Sequence, residues 1–165
     1  MSVLGELQPN KVFQYFEEIC AIPHGSRNLQ QISDYLVDFA KAHGLKYRQD
    51  EDLNVIIWKD GSKGYEASEP VILQGHMDMV AVKEADCDKD MEKEGLDLEI
   101  NGDYISAKGT SLGGDDGIAV AYTLAVLDDE EWHTHQSKQS LQLTKKSVCL
   151  EQQLLMFQIL RDVYL

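Results

Sequence analysis

Positive charge is scarce in this chain. Its 165 residues hold 15 lysines and arginines against 29 aspartates and glutamates, a formal charge of −14. Such a surface repels phosphate backbones and anionic lipid, so nucleic acid and membranes are poor candidate partners and cations are better ones. Cysteine is scarce as well. Cys20, Cys87 and Cys149 are odd in number and show no CxxC spacing, which supports neither a disulfide framework nor a thiolate zinc site. No apolar run is long enough to span a bilayer and the first residues do not read as a charged-then-apolar leader, so a cytoplasmic protein is the expectation. Glycine and proline are missing from one end: all 12 glycines and all 3 prolines lie at or before Gly117. From His133 onward the chain is rich in Gln, Lys and Leu, which places a boundary near Trp132.

What remains reads as a globular α/β pattern. "PNKVFQYFEEICAIPHGS" puts Val12, Phe13, Phe16 and Ile19 on one helical face, with Pro9 and Asn10 as start signals and Pro23 and Gly25 ending it. "SRNLQQISDYLVDFAKAHG" repeats the pattern with Leu29, Ile32, Leu36 and Phe39, and Gly44 is its stop. "LKYRQ" and "LNVIIWK" read as strands, and "EPVILQGHMD" as a third, more buried one. "KEADCDKDMEKEGLDLEI" is a charged connection. "NGDYISAKGTSLGGDDG" is a glycine-rich segment feeding the apolar pattern "IAVAYTLAVL", a helix whose first turn carries Asp115, Asp116 and Gly117. Helices followed by apolar strands in a chain this short predict a mixed α/β layer structure.

Chemistry concentrates in two places. His76 and Asp78 stand two apart at the end of an apolar run, where isolated polar groups cost roughly 2–7 kcal/mol if desolvated without a partner. Residues i and i+2 of a strand share a face, so the Asp78 carboxylate can meet the His76 ring. A carboxylate on the outer ring nitrogen fixes the tautomer and makes the opposite nitrogen a better metal donor, though a hydrogen-bonded histidine at a strand end is the plainer reading. In "SLGGDDG", Gly113 and Gly114 allow a close backbone approach and deliver Asp115 and Asp116 at the mouth of a helix. One aspartate of the pair can serve as a helix cap. A carboxylate with two oxygens can also bridge two cations at the roughly 3.5–4 Å spacing of paired-metal hydrolases.

These segments, taken in order from about Leu7 to Trp132 ("FEEICAIPHGS", "LNVIIWK", "VILQGHMDMV", "GDYISAKGTSLGGDDGIAVAYTLAVL"), resemble the co-catalytic zinc peptidases, and among them the aminoacyl-histidine dipeptidases. The resemblance implies that residues 1–132 are the N-terminal part of a zinc-peptidase catalytic domain, an incomplete α/β unit with a mixed sheet flanked by helices. It implies zinc as cofactor, two ions in the intact family and other divalent cations able to replace it, and a small dipeptide such as Xaa-His as substrate. His76 then binds one zinc, Asp78 orients it in a catalytic role, and Asp115 bridges both ions. Asp116 matches a position that is often Asn and stays outside the ligand set.

The resemblance also implies what the chain does not show. A T-x-D-E-E-x-G-type segment with the general base, a further acidic ligand, a final histidine ligand and the dimerisation domain of the family homodimer are not recognisable. Two donors cannot supply the three protein ligands of a catalytic zinc, so the expectation is a truncated, inactive dipeptidase. Where the family reads something like "HPSVEAVFTVDEEVGM", this chain reads "HTHQSKQSLQLTKKSVCLEQQLLMF". Free back-translation shifted by one base from His133 can restore the family's glutamate pair, so residues 133–165 are read as a non-homologous, out-of-frame tail. A genuine amphipathic helix carrying Leu150, Leu154, Phe157 and Leu160 is the competing reading. Two other classes stay open: a non-catalytic acidic module that binds a cation or docks on a partner, and a gene remnant without function.

Overall fold

The computed structural model of the chain describes residues 2–65 and 71–129 together with the backbone of 142–144. Two amphipathic helices come first, α1 (Asn10–Cys20) and α2 (Gln30–Ala42). Their apolar stripes are buried as the periodicity predicts: Val12, Phe16 and Ile19 in α1, Ile32, Leu36 and Phe39 in α2. Gly44 follows α2 at φ 64°, a left-handed conformation that glycine adopts without a Cβ clash, and its N–H donates to Lys41 O.

Strands β1 (Lys46–Gln49) and β2 (Val55–Trp58) form an antiparallel pair, with Lys46 opposite Trp58 and Gln49 opposite Val55. All four residues of β1 are exposed, whereas Val55, Ile56 and Ile57 are buried. Lysine and arginine on that outer strand suit a sheet edge, where charge discourages pairing with other chains. Strand β3 (Gln74–His76) is shorter than the ten-residue strand the sequence predicts. Val71 is exposed and residues 71–73 carry no strand structure. The reason is the ladder: among the described residues β3 pairs with β6 (Gln142–Thr144), in parallel, and three residues of partner support three residues of strand. The sheet order is β1-β2-β6-β3, with β6 antiparallel to β2.

A hairpin, β4 (Leu98–Asn101) and β5 (Tyr104–Ala107), spans the end of the charged connection and the start of the glycine-rich segment, where the sequence reading named no strand. Its tight turn uses Gly102 at φ 61°, the position where a two-residue hairpin connection favours glycine. Helix α3 (Gly114–Asp128) closes the described core. It packs against α1 and β3, and Val120, Ala121, Leu124 and Leu127 are buried. Lys59 stands at its far end and donates to the carbonyls of Val126, Leu127 and Asp129, satisfying oxygens the last turn leaves unpaired. The architecture is thus the α/β class with a mixed sheet and helices packed on it. The tail segments read as helix or as frameshift product, and the boundary at Trp132, lie outside the described residues apart from the three backbone positions of β6.

Candidate functional site

The end of β3 and the start of α3 meet because α3 packs on β3. Gly75 has the room for that approach: a Cβ there would fall 3.1 Å from Asp116 Oδ2 and 3.6 Å from both Ala119 and Val120. Gly113 stands at φ 71°, and a Cβ on it would lie 2.9 Å from Met79 Sδ. The two glycines therefore let the Gly113–Asp116 turn press against the strand end. Asp115 and Asp116 have non-helical backbone angles within α3. This turn carries Asp115 towards His76, and Asp115 Oδ1 lies 3.1 Å from His76 Nε2. Asp116 turns to the strand instead, where its Oδ2 accepts from the His76 backbone N–H at 3.3 Å.

On the other side of the ring, His76 Nδ1 lies 2.9 Å from the main-chain oxygen of Asp78 and 3.4 Å from Asp78 Oδ1. Asp78 sits beyond the end of β3, so its main-chain carbonyl takes the shorter contact and its carboxylate the longer one. A carbonyl oxygen can only accept, hence Nδ1 carries the proton. Nε2 then faces a carboxylate oxygen. At that distance a cation could be shared between the Nε2 lone pair and the Asp115 carboxylate. His76 is largely buried, with 13% of its side chain exposed, while Asp115 is 78% exposed. Most of the pair's exposed surface is therefore that of Asp115.

Asp78 is 4% exposed, and Ser26 Oγ donates to its Oδ2 at 2.7 Å. Sequence reading missed Ser26, which lies 52 residues away in the α1–α2 connection and carried no signal beyond that of a loop. The same connection places His24 beside the turn, with its ring buried and its Nδ1 donating to Ile22 O at 2.6 Å. Burial pushes the His24 imidazole below its usual range, against the pull of the Ile22 carbonyl and the Asp78 charge. A cavity of about 830 Å³ adjoins the connection, lined by Gly25, Ser26, Arg27, Lys83 and Lys89 among others. His76, Asp78 and Asp115 do not line it.

The donor set matches a zinc site in kind. Two ligands on one tetrahedral zinc, with bonds of about 2.0–2.2 Å, stand roughly 3.3 Å apart, close to the separation of His76 Nε2 and Asp115 Oδ1. It does not match in number. Among the described residues no group of three or more His, Cys, Asp or Glu side chains is placed to hold a metal ion. A complete catalytic zinc centre is therefore not assembled by the described residues.

A strand end and a glycine turn thus bring an imidazole and carboxylates together on an α/β sheet, and comparison with known proteins shows what the chain is similar to. The chain is 41% identical over 130 residues to the cytosol non-specific dipeptidase of Escherichia coli strain K12, a match covering 79% of this chain and 27% of that protein. The crystal structure of aminoacylhistidine dipeptidase from Vibrio alginolyticus superposes with a TM-score of 0.83 at 35% identity, covering 89% of this chain and 30% of that one. A tripeptidase from Staphylococcus aureus shares the fold alone, with a TM-score of 0.64 at 21% identity over 84% of this chain and 37% of that one. No family model matches the chain. The resemblance to the aminoacyl-histidine dipeptidases is thereby shown, over less than a third of the length of the two dipeptidases. Among the described residues no helix is long and apolar enough to cross a membrane.

Proposed function

We propose that this chain carries one side of a dipeptidase active site and does not hydrolyse dipeptides by itself. The observation that carries the reading is the 3.1 Å approach of His76 Nε2 to Asp115 Oδ1, two donors of the kind a zinc site uses, from segments 39 residues apart. His76 and Asp115 are the cation donors and Asp78 the residue that orients His76. The cofactor by resemblance is zinc, with other divalent cations able to take its place, because occupancy follows supply as well as ligand type. The substrate class is a small dipeptide, Xaa-His among them; nucleic acid and membranes are not partners, and the location is the cytoplasm. The family homodimer is not carried over to this chain.

No reaction step is assigned to the present residues. Proton transfer in hydrolysis needs a positioned general base, and the sequence holds no in-frame segment of the T-x-D-E-E-x-G type. Residues 133–165 are the proposed out-of-frame tail, a reading supported by the loss of glycine and proline after Gly117. The gene sequence around the Trp132 codon tests that part: a shifted frame that does not continue as dipeptidase removes it. The activity reading is tested by assaying the purified chain with added Zn²⁺ against alanyl-histidine. Release of histidine no faster than from buffer is expected, and turnover near that of a full-length dipeptidase overturns it.

A further inference from the structure

We propose that Ser26 is a positioning residue of the site, acting through Asp78 on His76; the proposal rests on the reading of His76 as a cation donor. Asp78 is a buried carboxylate, and a buried charge is tolerated only where hydrogen bonds replace its water. Ser26 Oγ lies 2.7 Å from Asp78 Oδ2, the length of a charge-assisted O–H···O⁻ bond, and 3.3 Å from Met79 O. A hydroxyl has one proton to give, and the shorter, charged acceptor takes it. With Oδ2 held by Ser26, the other oxygen, Oδ1, is left facing His76 Nδ1 at 3.4 Å. Rotation of the carboxylate about its last torsion would break both relations at once.

Ser26 is itself built into place. Its backbone N–H donates to Met79 O at 3.0 Å, and the Met79 N–H donates to His24 O at 3.1 Å, so residues 24–26 run beside 77–79 like a short extra strand. Gly25 and Met79 form a parallel bridge, and a Cβ on Gly25 would stand 2.8 Å from that of Ala81. The connection between α1 and α2 thus does more than join two helices. It delivers a hydroxyl to the buried carboxylate whose other oxygen faces the Nδ1 side of the ring.

The test uses the full chain and the Ser26→Ala, Ser26→Thr and Ser26→Val variants, with Zn²⁺ affinity read by calorimetry. Removing a hydrogen-bond partner behind a metal ligand weakens binding by about 10–100-fold, and the lower end is expected for S26A, since Ser26 acts one bond further out. S26T should stay within about twofold of the parent and S26V should follow S26A, because Thr and Val differ at that position by the hydroxyl. In an Asp78→Ala background S26A should cost nothing more, the non-additivity that marks action through Asp78. A metal-free readout accompanies it: solvent exchange of the His76 Nδ1 proton, measured by NMR, should speed up in S26A and S26V and not in S26T. Parental affinity and parental exchange in S26A and S26V overturn the proposal, as does an equal S26A penalty with Asp78 removed. If His76→Ala binds Zn²⁺ as the parent does, the donor reading fails instead, and the exchange rates then decide Ser26 alone.

Discussion

Substituting Gly113 by alanine should damage the fold and the site together. At φ 71° the residue lies where a Cβ meets its own backbone, a cost of about 1–2 kcal/mol for an L side chain. The added methyl would also stand 2.9 Å from Met79 Sδ, 3.2 Å from Met79 Cβ and 3.4 Å from His24 Nε2, so Met79 and the strand end have to yield. Overpacking of that kind costs about 1–3 kcal/mol. The two together predict a loss of about 2–5 kcal/mol, or a fall in Tm of roughly 4–20 °C for a chain of this size, at about 2–4 °C per kcal/mol. Gly114 is the control next door. A Cβ there meets nothing nearer than Leu112 Cδ2 at 3.8 Å and its φ is not positive, so Gly114→Ala should change stability by no more than about 1 kcal/mol. Thermal unfolding followed by circular dichroism measures both. Equal Tm values for G113A and the parent, or an equal loss in G114A, would refute the argument that this turn is shaped by steric contact with Met79.

Leu36 is fully buried, and Leu36→Ala should cost about 2–5 kcal/mol in urea unfolding. Burial pushes the Cys20 thiol up to about 12, helped by the Glu17 charge, so under native conditions at pH 8 iodoacetamide should modify Cys87 and spare Cys20 until urea is added; peptide mass mapping reads this. At Asp128, partial burial works against ionisation, but hydrogen bonds from Lys11 and Tyr15 and the Lys11 charge outweigh it and hold the carboxyl below its usual range. Because the folded pKa is the lower one, this stabilisation is full above the unfolded value of about 3.9 and is lost as pH falls through the folded value. Urea midpoints of Asp128→Asn should therefore lie below the parent near neutrality and converge with it in acid.

The helices could be read from the sequence because their signals are local. Leu29, Ile32, Leu36 and Phe39 recur at helical spacing, and Gly44 falls at the left-handed position that ends α2. The hairpin also had a local signal, since Gly102-Asp103 between apolar residues suits a two-residue turn, but it lies among charges and glycines that mask the short strands. The length of β3 could not, because it is set by a partner strand 68 positions on, Gln74 facing Gln142. The site divides along the same line. His76 and Asp78 draw attention as neighbours in sequence, and Asp115 follows from the family resemblance. Ser26 is joined to Asp78 only by tertiary structure, and nothing in "PHGSRN" announces it. The i, i+2 argument placed Asp78 beside the ring, yet the nearer contact is through its main-chain oxygen, a choice that depends on where the strand stops.

His76 and Asp115 are proposed above as a cation-binding pair. Titration of the 165-residue chain with Zn²⁺, followed at the ring nitrogens of His76 by NMR, decides between a pair that binds and one that does not. A saturable shift at Nε2 is expected, with an affinity that Asp115→Asn weakens about tenfold or more by the loss of one of two charged or basic donors. Zinc that binds while the His76 ring resonances stay still, or binds as tightly in D115N, would contradict it.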